Sequence, residues 1–524
     1  MENFVNRGYE LKHIDEAIDA LQDKNSLLRT PIIELYGVGG IGKSSLLTEV
    51  EQRCTSRRLP CIRVNINKQI VNFSQQVIKQ ARQYSDFLPS SDTNQNHTAL
   101  IVTRSLMQYS PVVLLLDAVD SASADVLNDI ELLLRDLIED EKLFVVLTSK
   151  KMLSFQSQRS IARKLTMFQL QSLDRASCEQ YVTTAVHINE PAIRNLIFEW
   201  TRGYPAAMNV MVQAINEGID PRQEEGKRTI FSRFLQRVIY QEILSEVPEE
   251  RRDWYRSALQ LLSVPRRFNL VIMQDLIERF APGLRRESSL AYFGLPKEIN
   301  ETTDVLNWNL IRAGFAVDTP VRNLMLLLLQ FEQPEYYFQV HHTLYENNLE
   351  LSSKVTGTDR IRYLRECLYH IACETNAPDQ RERLQAVMER IEQEPPEIFQ
   401  QFYEEFSQDD ELKEALGSYL PFIQTHIYTT LARINRQSAQ RSTGHDRVRL
   451  LKEYVFYTAR SFTFPDEIEI FQQVLLKTVK NSESQEVQHA LYTEIVEDER
   501  MRDIFGKDAD QFLEVIHNAL AKEG

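Results

Sequence analysis

The amino-acid sequence predicts an α/β fold, a parallel sheet with helices on both faces, that gives way to an all-α region. Three observations predict it. Over the first 171 residues, short continuous apolar runs alternate with helical patterns, as strands buried on both faces require. Beyond about residue 171 strand patterns nearly vanish. Gly (16) and Pro (18) are sparse for 524 residues, against the turn-rich composition of sandwiches and propellers.

The elements follow in order. PIIELYG (31–37) reads as a buried strand running into a Gly-rich turn, and residues 43–54 as the helix after it. LPCIRVNI (59–66) is a second strand. Helical patterns at 68–84 and 97–109 flank SDFLPSSDTNQNH (85–97), a loop by composition. PVVLLLD (111–117) and KLFVVLTS (142–149) are continuous apolar strands on either side of a helix at 122–139, and KLTMFQL (164–170) is a fifth strand. Helices are expected over 173–186, 191–216 and 229–246, with EGIDPRQEEGKR (217–228) as a charged connector. A compact unit runs from about 250 to 318 and contains a short apolar–polar stretch, GFAVDTP (314–320). From 321 to 524 the pattern is helical, without a defensible 34- or 40-residue repeat and with a break at EQEPPE (392–397).

Composition narrows the class. At about 150 residues per domain, the length predicts three or four domains. Hydrophobic residues make up 43% and charged residues 26%, an ordinary globular balance. Five Cys without regular spacing argue against a disulfide scaffold and for a reduced, cytoplasmic setting. The longest apolar runs, PVVLLL (111–116) and LMLLLL (324–329), are too short to span a bilayer, and no signal-peptide pattern opens the chain. A net charge of −15 argues against nucleic acid as a partner.

The segment GVGGIGKSS (37–45) fits G-x-x-x-x-G-K-[ST], with Gly37, Gly42, Lys43 and Ser44 at the fixed positions. A strand precedes it and a helix follows. Successive backbone N–H groups must converge on phosphate oxygens, and the glycines at 37, 39, 40 and 42, with Ile41 among them, let the backbone come that close. The helix N-terminus adds partial positive charge. Lys43 can reach the β- and γ-phosphates, and Ser44 can offer its hydroxyl to Mg²⁺. A carboxylate is needed to hold that metal, and Asp117 ends the strand VVLLLD where it should stand. The next residue is Ala118, where an acid that activates the attacking water often stands; Asp120 lies two places further on. Lys43, Asp117 and Asp120 are the catalytic candidates, and slow hydrolysis at most is expected. Thr148, Ser149 and Lys150 end another strand on the side that faces a ligand crevice, where Lys150 can report a γ-phosphate.

The run FVNRGYEL (4–11), with GVGGIGKSSLL, VVLLLDAVD, VVLTSK and TRGYPAA, resembles the STAND branch of P-loop ATPases. That branch includes NB-ARC and NACHT-type signalling switches and the bacterial maltose-regulon activator type; AAA+ and Orc/Cdc6 ATPases are relatives. The resemblance covers about residues 1–350. It implies a nucleotide-near Arg7 in a Gly-Arg-x-x-Glu box, where Asn6 replaces the Gly and Glu10 matches. Ser44 and Ser45 stand for the family's two Thr, and Lys150 for the Arg that ends its sensor strand. Gly203-Tyr204-Pro205, in the setting Trp200 to Pro205, matches the G-x-P motif, which implies that Pro205 packs near adenine. The resemblance also implies a domain order: a P-loop α/β domain (1–171), a helical lid and connector (172–246), a winged helix (247–322) and an α-helical sensor or partner-binding region (323–524). Asp318 stands where many relatives place a His against the β-phosphate of ADP, and an acid there does not favour phosphate.

The function implied is an ATP- or ADP-binding signalling switch with Mg²⁺, whose nucleotide state sets conformation or oligomerisation. The 36 residues before the P-loop are too few for an effector domain, and the last 200 show no nuclease, protease or hydrolase motif. The output is therefore expected in another protein or in self-assembly through the C-terminal helices. Two alternatives remain open: an AAA+/Orc-like ATPase acting on nucleic acid, which Ala118 and the charge oppose, and a scaffold in which the nucleotide is structural. Cys367, His370 and Cys373 share a helix face, but two Cys and one His are not a zinc set, and they read as core residues.

Overall fold

The computed structural model of the chain describes residues 7–23, 26–66, 72–87, 98–153, 155, 161–184, 186–309, 314–375, 377–462, 473–474, 477–478 and 485–505. Asn6 and most of the loop expected at 85–97 lie outside them. The chain forms two compact units, Met1–Gln333 and Pro334–Gly524.

The first unit is built on a five-stranded sheet of β1 (Ile32–Tyr36), β2 (Cys61–Asn65), β3 (Val112–Asp117), β4 (Leu143–Ser149) and β5 (Leu165–Gln169). Its order is β2-β3-β4-β1-β5, and every pairing is parallel. The continuous apolar runs are explained by burial on both faces: every residue of β3 and β4 is buried, whereas the edge strand β5 is partly exposed. β1 lies between β4 and β5, while the next strand in sequence, β2, stands at the far edge. The chain leaves β1 at its carboxyl end, the side of an open parallel sheet where ligands bind.

Five helices belong to this sheet: α1 (Gly8–Gln22), α2 (Lys43–Ser56), α3 (Phe73–Ala81), α4 (Ala99–Tyr109) and α5 (Ala124–Leu137). Side chains cap three of them. Asn72, Thr98 and Ser123 accept the backbone N–H groups of Gln75, Ile101 and Val126. Ile32, Leu114, Leu116, Val145 and Leu147 pack beneath α3, α4 and α5 residues such as Val77, Leu106 and Leu134.

Helices then run over Arg175–Thr184, Pro191–Thr201, Pro205–Asn216 and Glu224–Arg233, the last continuing as a π-helix over Phe234–Ile243. The connector expected at 217–228 is therefore too long: the chain is helical from Glu224. Glu224 and Glu225 sit in the first turn, where carboxylates complement the helix dipole. Apolar periodicity, carried by Ile230 and Phe231, begins only later, which hid the start. Gly203 is required at its position: its φ is +70°, and a Cβ there would lie 1.9 Å from the Leu173 carbonyl oxygen.

The unit ends with helices Arg252–Ser263, Leu270–Phe280 and Leu295–Thr303, the antiparallel hairpin β6 (Leu306–Asn309) and β7 (Gly314–Val317), and helix Thr319–Glu332. Phe268 and Phe315 exchange backbone hydrogen bonds of 2.9 and 2.8 Å, which adds a short third rung to the hairpin. β6 is absent from the sequence reading; LNWN has neither an apolar run nor clean alternation.

The described part of the second unit is all α. Helices span Pro334–Lys354, Gly357–Cys373, Gln380–Glu392, Pro396–Ser407, Asp410–Leu416, Leu420–Gln440, Gly444–Ser461, Gln485–Glu497 and Glu499–Phe505. EQEPPE breaks the chain as expected, with Pro396 at the first position of a new helix. Leu364, Leu368, Phe399, Phe402, Ile423 and Val455 lie in one fully buried core. Cys367 and His370 are buried within this unit, and His370 faces His341 at 2.9 Å between their Nδ1 atoms. Among the described residues no group of His, Cys, Asp and Glu is arranged to hold a metal ion, and no helix is long and apolar enough to cross a membrane.

Leu114 is wholly buried in the central sheet. Leu114→Ala is expected to lower the unfolding free energy by about 2–5 kcal/mol, read as an earlier denaturant transition by circular dichroism. An unchanged midpoint would contradict this packing.

Candidate nucleotide-binding site

β1 ends at Tyr36, and residues 37–42 turn into α2. The Gly37 N–H donates to the Ser149 carbonyl at 3.2 Å, which fixes the start of the loop to β4. Gly40 has a φ of +72°, and a Cβ there would lie 2.5 Å from that of Ala206. Gly42 flanks the first turn of α2 in a left-handed conformation, with a φ of +100°. The unpaired N–H groups of that first turn and the helix dipole make this end of α2 an anion site. Lys43 folds over the loop, donating to the Gly37 carbonyl and to the Val38 carbonyl at 3.0 Å. Burial pushes its ammonium down to about 8, against the opposing pull of Asp120; Lys150 depresses it further, and Asp117 and Glu242 support it. Ile41 is buried under the loop, whereas Ser44 and Ser45 are exposed at the start of α2.

Asp117 closes β3, 5% exposed. The Thr148 hydroxyl donates to its Oδ1 at 2.6 Å and accepts the Ala118 N–H at 2.8 Å. Arg63, from β2, lies 3.5 Å from its Oδ2. Ala118 takes a left-handed conformation (φ 58°) and presents only a methyl group where an acid is absent. Asp120 accepts the Lys150 N–H at 3.1 Å; burial raises its pKa, and the Lys150 and Lys43 charges partly offset that. The Lys150 ammonium lies 2.7 Å from Glu246 Oε1, at the end of the lid helices.

The lid meets the loop directly. The Tyr204 hydroxyl donates to the Gly39 carbonyl, and the Ala206 N–H donates to the Gly40 carbonyl at 3.1 Å. Pro205 starts the helix between them. Tyr204 is fully buried, and burial raises its pKa well above the usual phenol value. From the π-helix, the Glu242 carbonyl oxygen would lie 2.9 Å from a Cβ at Gly39. Asp318, just after the hairpin, has its pKa raised by burial, partly offset by Asn307 and by the Lys43 charge, so it faces the same site. Lys151 pairs with Asp304 at 2.7 Å.

Arg7 is buried behind the loop. Its guanidinium donates to the carbonyls of Ile41 at 3.2 Å and Gln171 at 2.7 Å, tying the P-loop to the segment after β5. Glu10 lies 3.9 Å away.

The structure thus brings Gly37, Gly39, Gly40, Ile41, Gly42, Lys43, Ser44, Ser45, Asp117, Asp120, Lys150 and Pro205 to one end of the sheet, with Arg7 beneath. Sequence reasoning missed Arg63, Glu242 and Glu246, and it missed the Tyr204 hydroxyl inside a motif it had found. No local pattern marks them, because their roles arise from strand register and from the return of the lid.

Residues 31–189 match the NACHT domain. No curated protein matches the chain. Solved structures resemble it at low identity. The ORC2 protein of Aeropyrum pernix, in ADPNP and ADP complexes, is 15% identical with a TM-score of 0.42, covering 64% of this chain and 95% of its own. The ORC1 protein of Aeropyrum pernix in complex with DNA is 13% identical with a TM-score of 0.34, over 64% and 94%. A Signal Transduction ATPase with Numerous Domains (STAND) protein with a tetratricopeptide repeat sensor, from Pyrococcus horikoshii, is 14% identical with a TM-score of 0.32, over 99% and 84%. The chain carries a nucleotide-binding domain of the P-loop class, and over that domain its resemblance to STAND-class P-loop NTPases is borne out.

Proposed function

We propose that the chain is a nucleotide-dependent switch of the STAND type. ATP or ADP is its ligand, residues 172–246 are its lid, residues 247–322 are a winged helix, and residues 323–524 are a sensor or partner-binding region. The observation that carries this reading is the bonding of the lid to the P-loop itself. Tyr204 and Ala206 hold the carbonyls of Gly39 and Gly40, and Glu246 holds Lys150. A change at the phosphate site therefore acts on the lid without an intermediary.

The residues suit the ligand. The α2 N-terminus and Lys43 offer positive charge to phosphates. Ser44 and Asp117 offer hard oxygen donors, the kind Mg²⁺ takes, and the ion would neutralise phosphate charge there. Lys150 can exchange the Glu246 carboxylate for a terminal phosphate, which ADP lacks, so the two nucleotides bias the lid differently. Ala118 provides no base beside Asp117, which supports slow turnover at most. Output then comes from assembly or from a protein partner.

Light scattering on the full chain tests this reading. With ATP–Mg²⁺ or a non-hydrolysable analogue, wild type is expected to change its assembly state or its hydrodynamic radius relative to ADP, and Lys43→Ala is not. Identical behaviour in every nucleotide state would leave the scaffold reading as the better one.

Glu246→Gln removes the charge that holds Lys150. A partly buried pair of this kind is worth about 1 kcal/mol, so labelled ADP is expected to dissociate about fivefold faster. An unchanged rate in stopped flow would separate the ion pair from lid closure.

Lys43 is a base whose pKa lies low, at about 8. A phosphate beside it favours the charged form, so nucleotide binding near that pH is expected to take up protons. Affinity is expected to fall as the pH rises further. Calorimetry in two buffers of different ionisation enthalpy reads the uptake; none, or a release, would contradict it.

A further inference from the structure

The carboxylate expected to hold the metal already faces a cation of the chain. Arg63 stands on β2 opposite Leu115 of β3, and the next same-face pair along the two strands is Asn65 and Asp117. Its guanidinium spans the gap between strand and helix. It donates to Thr48 Oγ1 at 2.9 Å, to Glu51 Oε2 at 3.0 Å and to the Ser44 carbonyl at 3.2 Å, and it lies 3.5 Å from Asp117 Oδ2. The other Asp117 oxygen accepts the Thr148 hydroxyl at 2.6 Å. Both oxygens are therefore engaged by the protein. The contacts to Thr48 and Glu51 suffice to tie α2 to the sheet; the reach to Asp117 and Ser44 serves something more.

Arg keeps its charge at any pH the protein meets. A second cation brought to Asp117 meets like charge close by, in a place where water screens poorly. Mg²⁺ in particular demands near-ideal octahedral geometry and gives up water reluctantly, so it gains little from a carboxylate already half neutralised.

We propose that Arg63 is the standing counter-ion of Asp117 and takes over much of the charge balance that Mg²⁺ usually provides, so that this chain holds a nucleoside diphosphate with little dependence on divalent metal. The inference rests on the reading of the P-loop as a nucleotide site. Arg63 acts here as a positioning and charge-balancing residue beside the phosphates.

The test is binding of a fluorescent ADP analogue to the full chain, in millimolar Mg²⁺ and in excess EDTA, for wild type and Arg63→Gln. Wild-type affinity is expected to differ by less than about threefold between the two conditions, and Arg63→Gln to open a dependence on Mg²⁺ of about tenfold or more, the usual weight of one charged contact. Electron paramagnetic resonance of Mn²⁺ with ADP gives a second readout: the ternary complex is expected to hold Mn²⁺ more tightly in Arg63→Gln than in wild type. A wild type that loses tenfold or more in EDTA, or a variant with the same metal ratio as wild type, overturns the proposal. If Arg63→Gln does not fold, the wild-type ratio decides alone. Binding with a strong metal requirement rejects this inference and leaves the nucleotide site standing; no binding in either condition rejects both.

Discussion

Two carbonyl oxygens of the P-loop, those of Gly39 and Gly40, organise the rest of the site. A loop shaped to hold phosphate turns its N–H groups inward, which leaves its carbonyls pointing outward in need of donors. Here the Tyr204 hydroxyl and the Ala206 N–H supply them, and both belong to the lid. The same requirement keeps position 40 free of a side chain, because the Ala206 methyl group occupies that space. Lys43 closes the inner side of the loop through the carbonyls of Gly37 and Val38. The loop is thus satisfied on both sides by groups that a ligand or a lid movement must displace.

Charge is arranged around this loop in alternating signs. Lys43 faces Asp120, Asp117 and Glu242; Lys150 faces Glu246; Arg63 faces Asp117; Lys151 faces Asp304. Each cation near the phosphate site has a carboxylate from a different element. Opposed pairs of this kind add modestly to stability, but they fix which surfaces meet. The acids come mostly from the lid and the segment after it, and the bases mostly from the sheet domain.

Much of this was legible in the sequence. The strands could be read because burial on both faces demands unbroken apolar runs such as VVLLLD, and the P-loop because its glycines and Lys43 follow a fixed spacing. Asp117 and Lys150 could be placed because strand ends point at the crevice. The strand order could not be read, since parallel pairing leaves no mark on composition. The start of the helix at Glu224 and the strand LNWN stayed hidden because polar residues dominate both. Arg63 stayed hidden for a different reason: its meaning depends on β2 lying beside β3, and its own neighbourhood, CIRVN, reads as an ordinary strand.

The π-helix at Phe234–Ile243 has a mechanical consequence. A wide-wound helix carries more residues per turn than an α-helix, so every residue along it points in a direction set by the winding. Glu242 lies in its last turn and Glu246 three residues beyond its end, and both face the sheet domain. Their aim is thus a matter of torsion as well as of position. The segment is a twisted shaft whose pitch determines whether its two acids meet the loop or turn away from it.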